Sequence, residues 1–296
     1  MTNKVVIAGG TGFIGDYFRE QFQLDGYEVV IISRQSPHLA WTDQAAIVEA
    51  LEDAAALINL AGKSVNCRYH ERNKAAIMAS RTETTRLLGE AVSACANPPK
   101  LWLNSSTATI YRHAEDRPMT EMDGEIGSGF SVEVAKAWER QFFSFGMPNT
   151  RQIALRIAIV LGQSGGVVGP YRQLVKFGLG GVQGKGTQMF SWIHVKDLYR
   201  IVRFAMEHTE LEGPLNCSSP NPVPNHELMR QLRRALGRGF GLPAPRWLLE
   251  CGAALIRTET ELVLKSRWVL PERLLQAGFT FAYPTLETAL EEIFAT

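Results

Sequence analysis

The tightest constraint on this chain lies at its start, where a short apolar run, Val5-Val6-Ile7-Ala8, breaks into Gly9-Gly10-Thr11-Gly12-Phe13-Ile14-Gly15. The run reads as a strand. Apolar residues at Ile14, Phe18 and Phe22 then mark one face of a helix, and Gly26 is its stop. A strand that turns through G-x-x-G-x-x-G spacing into a helix is the pattern of a dinucleotide-binding turn. Gly9 permits the tight bend, Gly12 lets the backbone approach a pyrophosphate, and Gly15 lets the helix pack closely on the sheet. The free N–H groups at the helix N-terminus, among them those of Phe13 and Ile14, face the anion. A tight turn with a purely structural role is the alternative.

A second strand, Val29-Val30-Ile31-Ile32, ends in Ser33-Arg34-Gln35-Ser36. An acidic residue at this point would take a ribose 2′-hydroxyl. Here Arg34 can instead pair with a 2′-phosphate and Ser33 can donate to it, which predicts NADP(H) as the cofactor. A solvated surface arginine is the competing reading.

Further strands are predicted over 55–60, 101–104 and 153–157, with helices over 70–96 and 130–146. Continuous apolar runs separated by helices indicate buried parallel strands in βαβ units. The predicted fold is α/β, a Rossmann-type doubly wound parallel sheet with a smaller, mainly helical C-terminal substrate lobe. Residues 1–165 and 188–215 are assigned to the NADP-binding domain, and 166–187 and 216–296 to the lobe. Glycines are dense from Gly162 to Gly186, as in loops that approach something closely or move. Asn216, Asn221 and Asn225 are expected in loops beside prolines, and Trp247 and Trp268 either line a pocket or fill a small core.

Composition narrows the function classes. Lys and Arg total 31 against 30 Asp and Glu in 296 residues, a net charge of +1, so no field draws in nucleic acid or an anionic membrane. No stretch approaches a membrane span and no signal peptide is visible, which predicts a cytoplasmic protein. The four cysteines, Cys67, Cys95, Cys217 and Cys251, form no C-x-x-C pair, so reduced thiols and no metal site are expected. Oligomeric state is not legible.

Several landmarks occur in order: the glycine turn, Asn59-Leu60-Ala61-Gly62, Ser105-Ser106-Thr107-Ala108-Thr109-Ile110-Tyr111, and Trp192-Ile193-His194-Val195-Lys196-Asp197-Leu198. Together they resemble the extended short-chain dehydrogenase/reductase superfamily. Ser80-Arg81, the run from Gly180 to His194, Arg267-Trp268-Val269-Leu270-Pro271 and Tyr283-Pro284-Thr285-Leu286 are similar to its atypical epimerase-family proteins, a cell-division-inhibitor-like group ending in a domain of unknown function. The resemblance runs along essentially the whole chain. It implies that Leu60, Ala61, Gly62, Ser106 and Arg156 contact the cofactor and that Thr107 polarises a substrate carbonyl. Thr107 also reads as a plain strand-end hydroxyl, and Arg156 as a structural ion-pair member.

The chain departs from the superfamily where proton transfer takes place. Aligned on Glu139, the tyrosine of the Y-x-x-x-K helix becomes Ser131 and the lysine Ala135. Lys136 is one place off and points about 100° around the helix. Tyr111, His194, Glu133 or a substrate-bound water are the replacement candidates, although Tyr111 also reads as a packed side chain and His194 as ordering the turn before a helix capped by Asp197. Sugar-nucleotide epimerases tend to carry a phosphate-binding arginine four residues before this histidine, and here Phe190 takes that place. With Met189 and Trp192 beside it, the pocket reads as aromatic, which predicts poor binding of UDP-sugars. Two functions follow: an NADP(H)-dependent oxidoreductase or epimerase-like enzyme acting on a small carbonyl or hydroxyl compound, and a catalytically silent NADPH-binding sensor.

Overall fold

The computed structural model describes residues 3–245 and 264–295. Its centre is a seven-stranded parallel sheet made of β1 (Lys4–Ala8), β2 (Glu28–Ser33), β3 (Leu39–Ala40), β4 (Ala56–Asn59), β5 (Leu101–Thr107), β6 (Arg151–Ile157) and a last strand, Gly213–Cys217. The spatial order is β3-β2-β1-β4-β5-β6 followed by that last strand. Every pairing is parallel. The predicted Rossmann-type sheet is therefore observed.

Alternation along the strands explains why the sequence runs are continuously apolar. Val5, Ile7, Ala56, Ile58, Leu101, Leu103, Ile153 and Leu155 face one buried cluster with Phe18 and Phe22 of α1 (Phe13–Leu24). Val6, Ala8, Leu57, Trp102 and Ala154 face the other. That second face is covered by α2 (Gln44–Leu51), α3 (Glu71–Ala94) and α4 (Phe130–Phe143). A strand with helices on both sides has no polar face to show, so period-2 patterning disappears. The short β3 and α2 carry too little periodicity to be read from sequence.

Beyond β6 the chain makes β7 (Ile159–Gly162), β8 (Gly165–Gly166), α5 (Val168–Lys176), β9 (Met189–Phe190), β10 (Trp192–His194) and α6 (Val195–Glu207). After the last sheet strand, β11, come β12 (Val223–Pro224), α7 (Asn225–Ala235), α8 (Glu272–Gln276) and α9 (Leu286–Phe294). β7, β8 and β10 form a three-stranded sheet, and β9 pairs with β12. Leu161, Val175, Phe190, Trp192, Leu228, Leu232, Leu286 and Leu290 build a second core. This cluster draws Leu161, Phe190 and Trp192 out of stretches that sequence alone gives to the dinucleotide domain. The C-terminal segment also crosses back, burying Leu274, Phe279 and Phe281 against α6 on the main sheet.

The dense glycines have a packing reason. Added Cβ atoms at Gly162 and Gly165 would lie 2.8 and 2.6 Å from the Phe13 ring, so the β7–β8 hairpin closes over the start of α1. No helix among the described residues is long and apolar enough to cross a membrane. Trp247 and Cys251 lie outside the described residues. Trp268 packs against a small cluster of Ala108, Tyr111, Met119, Ala135 and Val269. Asn216 is a strand residue, not a loop residue, and is fully buried. Asn225 opens α7 and accepts the Gln183 amide at 2.9 Å, whereas Asn221 stays in a loop.

Candidate functional site

The strand order reverses between β1 and β4, so a crevice opens at the carboxyl ends of these strands, where doubly wound sheets bind ligands. Gly9 sits there with φ +75°, and its amide donates to Ile32 O at 2.8 Å. A Cβ on Gly9 would fall 2.6 Å from the Ala61 Cα, and one on Gly15 would fall 2.6 Å from the Gly10 Cα. Gly12 differs: a Cβ there meets nothing within 4 Å. Gly12 is also the N-cap of α1 and makes no side-chain cap hydrogen bond. Open space thus borders the N-terminus of α1, whose first amides have no acceptor within the helix, and this cradle fits a pyrophosphate. Phe13 adds its backbone to this cradle while its ring packs under the hairpin.

Ser33 is buried at the end of β2, with its Oγ 3.4 Å from Thr11 Oγ1 and accepting the Gln35 amide at 3.1 Å. It ties the second strand to the glycine turn. Arg34 next to it is exposed and has no ion pair or hydrogen bond among the described residues. Across the crevice, Asn59 Oδ1 accepts the Ala61 amide at 3.0 Å, while its Nδ2 donates to Asn104 Oδ1 at 2.7 Å and to Thr85 Oγ1 at 3.2 Å. Trp138 Nε1 also donates to Thr85 Oγ1, at 3.0 Å. This buried polar net fixes the Leu60-Ala61-Gly62 loop to α3, α4 and β5.

Thr107 ends β5, half-buried, and its Oγ1 accepts the Thr109 amide at 3.1 Å as the cap of a 3₁₀ turn, Ala108–Ile110. Both sequence readings of Thr107 are compatible with this, because a hydroxyl that accepts one bond still has a proton to donate.

Three other candidates are committed elsewhere. Ser106 Oγ donates to Glu139 Oε1 at 2.6 Å, and Arg156 grips the same carboxylate through Nε at 2.9 Å and Nη2 at 2.8 Å. Arg156 Nη1 donates to the Tyr111 hydroxyl at 2.9 Å, which in turn donates to Asn216 Oδ1 at 2.9 Å. Asn216 N then donates to Glu121 Oε1 at 2.8 Å. Burial pushes the Arg156 pKa down, but the Glu139 hydrogen bond and charge outweigh it, so the guanidinium is held firmly protonated. Ser106 and Arg156 thus act as a buried brace behind the crevice, where the resemblance implied cofactor contacts. Tyr111, an acid–base candidate from the sequence, is 2% exposed, and burial raises its pKa despite the neighbouring Arg156.

His194, another acid–base candidate, is also engaged at both ring nitrogens. Its Nδ1 accepts the Lys196 amide at 3.2 Å as the N-cap of α6, so Nε2 carries the proton and meets Glu292 Oε2 at 2.9 Å. The ring also packs, tilted by 34°, against Tyr283, and its bond to Glu292 couples α6 to α9. Asp197 does not cap this helix. Fully buried, it reaches outward to accept the amides of Ala282 and Tyr283, each at 2.8 Å. Ala135 lies fully buried, and Lys136 turns onto Glu133 at 3.0 Å on the exposed side of α4.

These landmarks can be set against known proteins. A sequence profile described as the NAD dependent epimerase/dehydratase family matches residues 5–137, and one described as a domain of unknown function (DUF1731) matches residues 244–293. The human epimerase family protein SDR39U1 is 33% identical over 99% of this chain and 100% of its own length. The chain belongs to the epimerase family. The Bacillus subtilis epimerase family protein YfhF is 30% identical over 99% of this chain and 98% of its own. A crystal structure of human SDR39U1 with NADPH superposes with a TM-score of 0.91 at 31% identity, covering 99% of each chain.

In this epimerase-family chain the pocket differs from the sequence expectation in two respects. Trp192 is not a pocket residue: it is fully buried in the second core, and its Nε1 donates to Asn221 O at 3.3 Å. Phe190 does line a small cleft, shared with Tyr171, Met189, Lys265 and Arg267. The cleft is thus not purely aromatic. Arg267 Nε donates to Thr109 Oγ1 at 3.0 Å, and Lys265 Nζ donates to Thr109 O at 2.8 Å, two residues past Thr107. These cations arrive from a segment over 150 positions away, so no local signal announces them.

Proposed function

We propose that this protein binds NADPH along the crevice at the ends of β1, β2 and β4 and is an oxidoreductase acting on a small carbonyl or hydroxyl compound. The observation that carries the reading is the open cradle at Gly12, one strand away from an exposed Arg34. The presence of NADPH in the human relative's crystal structure supports the same cofactor. Bound here, NADPH would supply hydride from its nicotinamide C4. The amides at the start of α1 hold the pyrophosphate, Arg34 and Ser33 hold the 2′-phosphate, and the Asn59 net presents Leu60, Ala61 and Gly62 to the cofactor. Thr107 donates its hydroxyl proton as a hydrogen bond to the reacting oxygen and stabilises charge developing there.

A second reading is favoured by one specific observation. With Ala135 buried, Tyr111 bonded to Arg156 and Asn216, and His194 bonded to Glu292, none of the three supplies a mobile proton beside Thr107. A catalytically silent NADPH sensor would have this arrangement. Fluorescence titration with NADPH, followed by stopped-flow oxidation of the bound NADPH by a panel of aldehydes, ketones and quinones, separates the two. Oxidation that disappears in Thr107→Val supports the enzyme. Tight NADPH binding without oxidation by any of the panel supports the sensor, and failure to bind NADPH refutes both.

A further inference from the structure

The net charge of +1 hides an uneven distribution along the chain. Neither Asp nor Glu occurs between Glu139 and Asp197, nor between Glu227 and Glu250. The fold brings parts of these two acid-free stretches together in the C-terminal lobe. Leu242 N donates to Gly178 O at 2.7 Å, Gly181 N to Leu242 O at 3.1 Å, Ala244 N to Val182 O at 2.9 Å and Gly184 N to Ala244 O at 2.9 Å. A Cβ on Gly181 would fall 2.4 Å from the Leu242 carbonyl carbon, and one on Gly241 would fall 2.5 Å from that of Gly180, so glycine is what lets the two backbones approach. Arg233 Nη1 adds a bond from α7 to Gly180 O at 2.6 Å.

These paired loops present large apolar side chains to solvent. Phe177 is 77% exposed, Phe240 69%, Leu242 51% and Leu179 43%. Phe177 and Leu179 flank Gly178, and Leu242, two residues after Phe240, lies across the backbone pairing from it. Cations accompany them: Lys176 precedes Phe177, Arg238 stands two residues before Phe240, and Lys185 follows the last pairing residue, Gly184. All three are exposed and have no ion pair among the described residues, whereas Arg230 and Arg234 of α7 pair with Glu227 and Glu287.

A single exposed apolar side chain needs no explanation, but four together mark a contact surface. The centre of an interface with a folded protein is depleted of charged residues. Here a cation accompanies each phenyl ring. That combination matches the boundary of a lipid bilayer, where apolar groups enter the acyl region while ammonium and guanidinium groups stay among headgroup phosphates. We infer that the paired loops over 176–185 and 238–244 are a docking face for an anionic phospholipid surface. Phe177, Leu179, Phe240 and Leu242 are its apolar wedges, and Lys176, Lys185 and Arg238 are its phosphate contacts. Wedges of this size give reversible, peripheral attachment. The inference does not depend on the cofactor reading.

The test mixes the full chain with vesicles of phosphatidylcholine alone or of phosphatidylcholine with phosphatidylglycerol, and measures bound protein by co-sedimentation. Wild type should bind the anionic vesicles about tenfold or more tightly than the neutral ones, and less tightly as salt is added. Phe177→Ser combined with Phe240→Ser should weaken that binding about tenfold or more, and so should Lys176→Gln, Lys185→Gln and Arg238→Gln together. All five positions are exposed, and thermal melting checks that both variants fold. Absence of vesicle binding by wild type, equal binding to neutral and anionic vesicles, or binding left intact in either variant overturns the inference. Sedimentation velocity without lipid checks the other occupant, a second copy of the chain. A dimer that the double phenylalanine variant dissociates, with no vesicle binding by wild type, assigns the face to self-association instead.

Discussion

Alanine at Gly12 and alanine at Gly15 are expected to fail in opposite ways, and the contrast tests the cradle directly. Gly12 has φ −111° and ψ 174°, extended backbone that alanine adopts, and its new methyl would meet nothing within 4 Å. Folding stability should hold or rise by about 0.4–1 kcal/mol, since alanine has fewer unfolded states to lose. The methyl would occupy space that the proposed pyrophosphate needs. Displacing the phosphate from one amide removes a charge-assisted hydrogen bond of about 1.5–3 kcal/mol, or about a ten- to hundredfold loss in NADPH affinity. Gly15 is the reverse case, because its Cβ would lie 2.6 Å from Gly10 Cα and 2.8 Å from Gly10 O, backbone atoms that cannot turn aside. Overpacking of this kind costs about 1–3 kcal/mol. Urea denaturation and NADPH fluorescence titration of both variants provide the measurements. A Gly12→Ala protein with wild-type affinity, or a Gly15→Ala protein with wild-type stability, would refute the reasoning.

Further outcomes follow from other parts of the site. Arg34→Ala should weaken NADPH and leave NADH unchanged, so equal affinities of wild type for the two cofactors would remove the 2′-phosphate assignment. Glu139→Gln strips the buried Arg156 of its counter-ion and should cost about 3–5 kcal/mol by urea denaturation; a change under about 1 kcal/mol would show that Arg156 has another partner. Burial lowers the pKa of His194 in the folded state below its ordinary 6.5. As pH falls past 6.5 the unfolded chain protonates first, so stability is greatest above that value and declines below it. His194→Gln should flatten the decline in melts from about pH 5 to 8, and an unchanged slope would exclude this histidine as its source.

The site was only partly legible in the sequence because its parts have different ranges. Gly9, Gly12 and Gly15 act through local backbone geometry, and their spacing alone reveals the turn. Lys265 and Arg267 reach Thr109 through a fold-back that no local pattern encodes. Asn216 looked like a loop residue because its neighbours Pro214 and Pro220 signal turns, yet it lies in the parallel strand β11 beside Arg156. Trp192 read as pocket-lining from its aromatic neighbours, but packing against α5, α7 and α9 gave it to a core instead.

The sequence by itself determined the strand–turn–helix at the start, the parallel sheet and the loss of the tyrosine and lysine from α4, because each is a matter of residue type at short spacing. Tertiary structure decided which polar side chains remain available. Tyr111 and His194 look like acid–base groups in isolation, but partners 105 and 98 residues further along the chain, Asn216 and Glu292, hold them. Arg156 meets its counter-ion 17 residues away. A buried polar group must be paired inside the fold or by a ligand, and only the packed chain reveals which of the two applies.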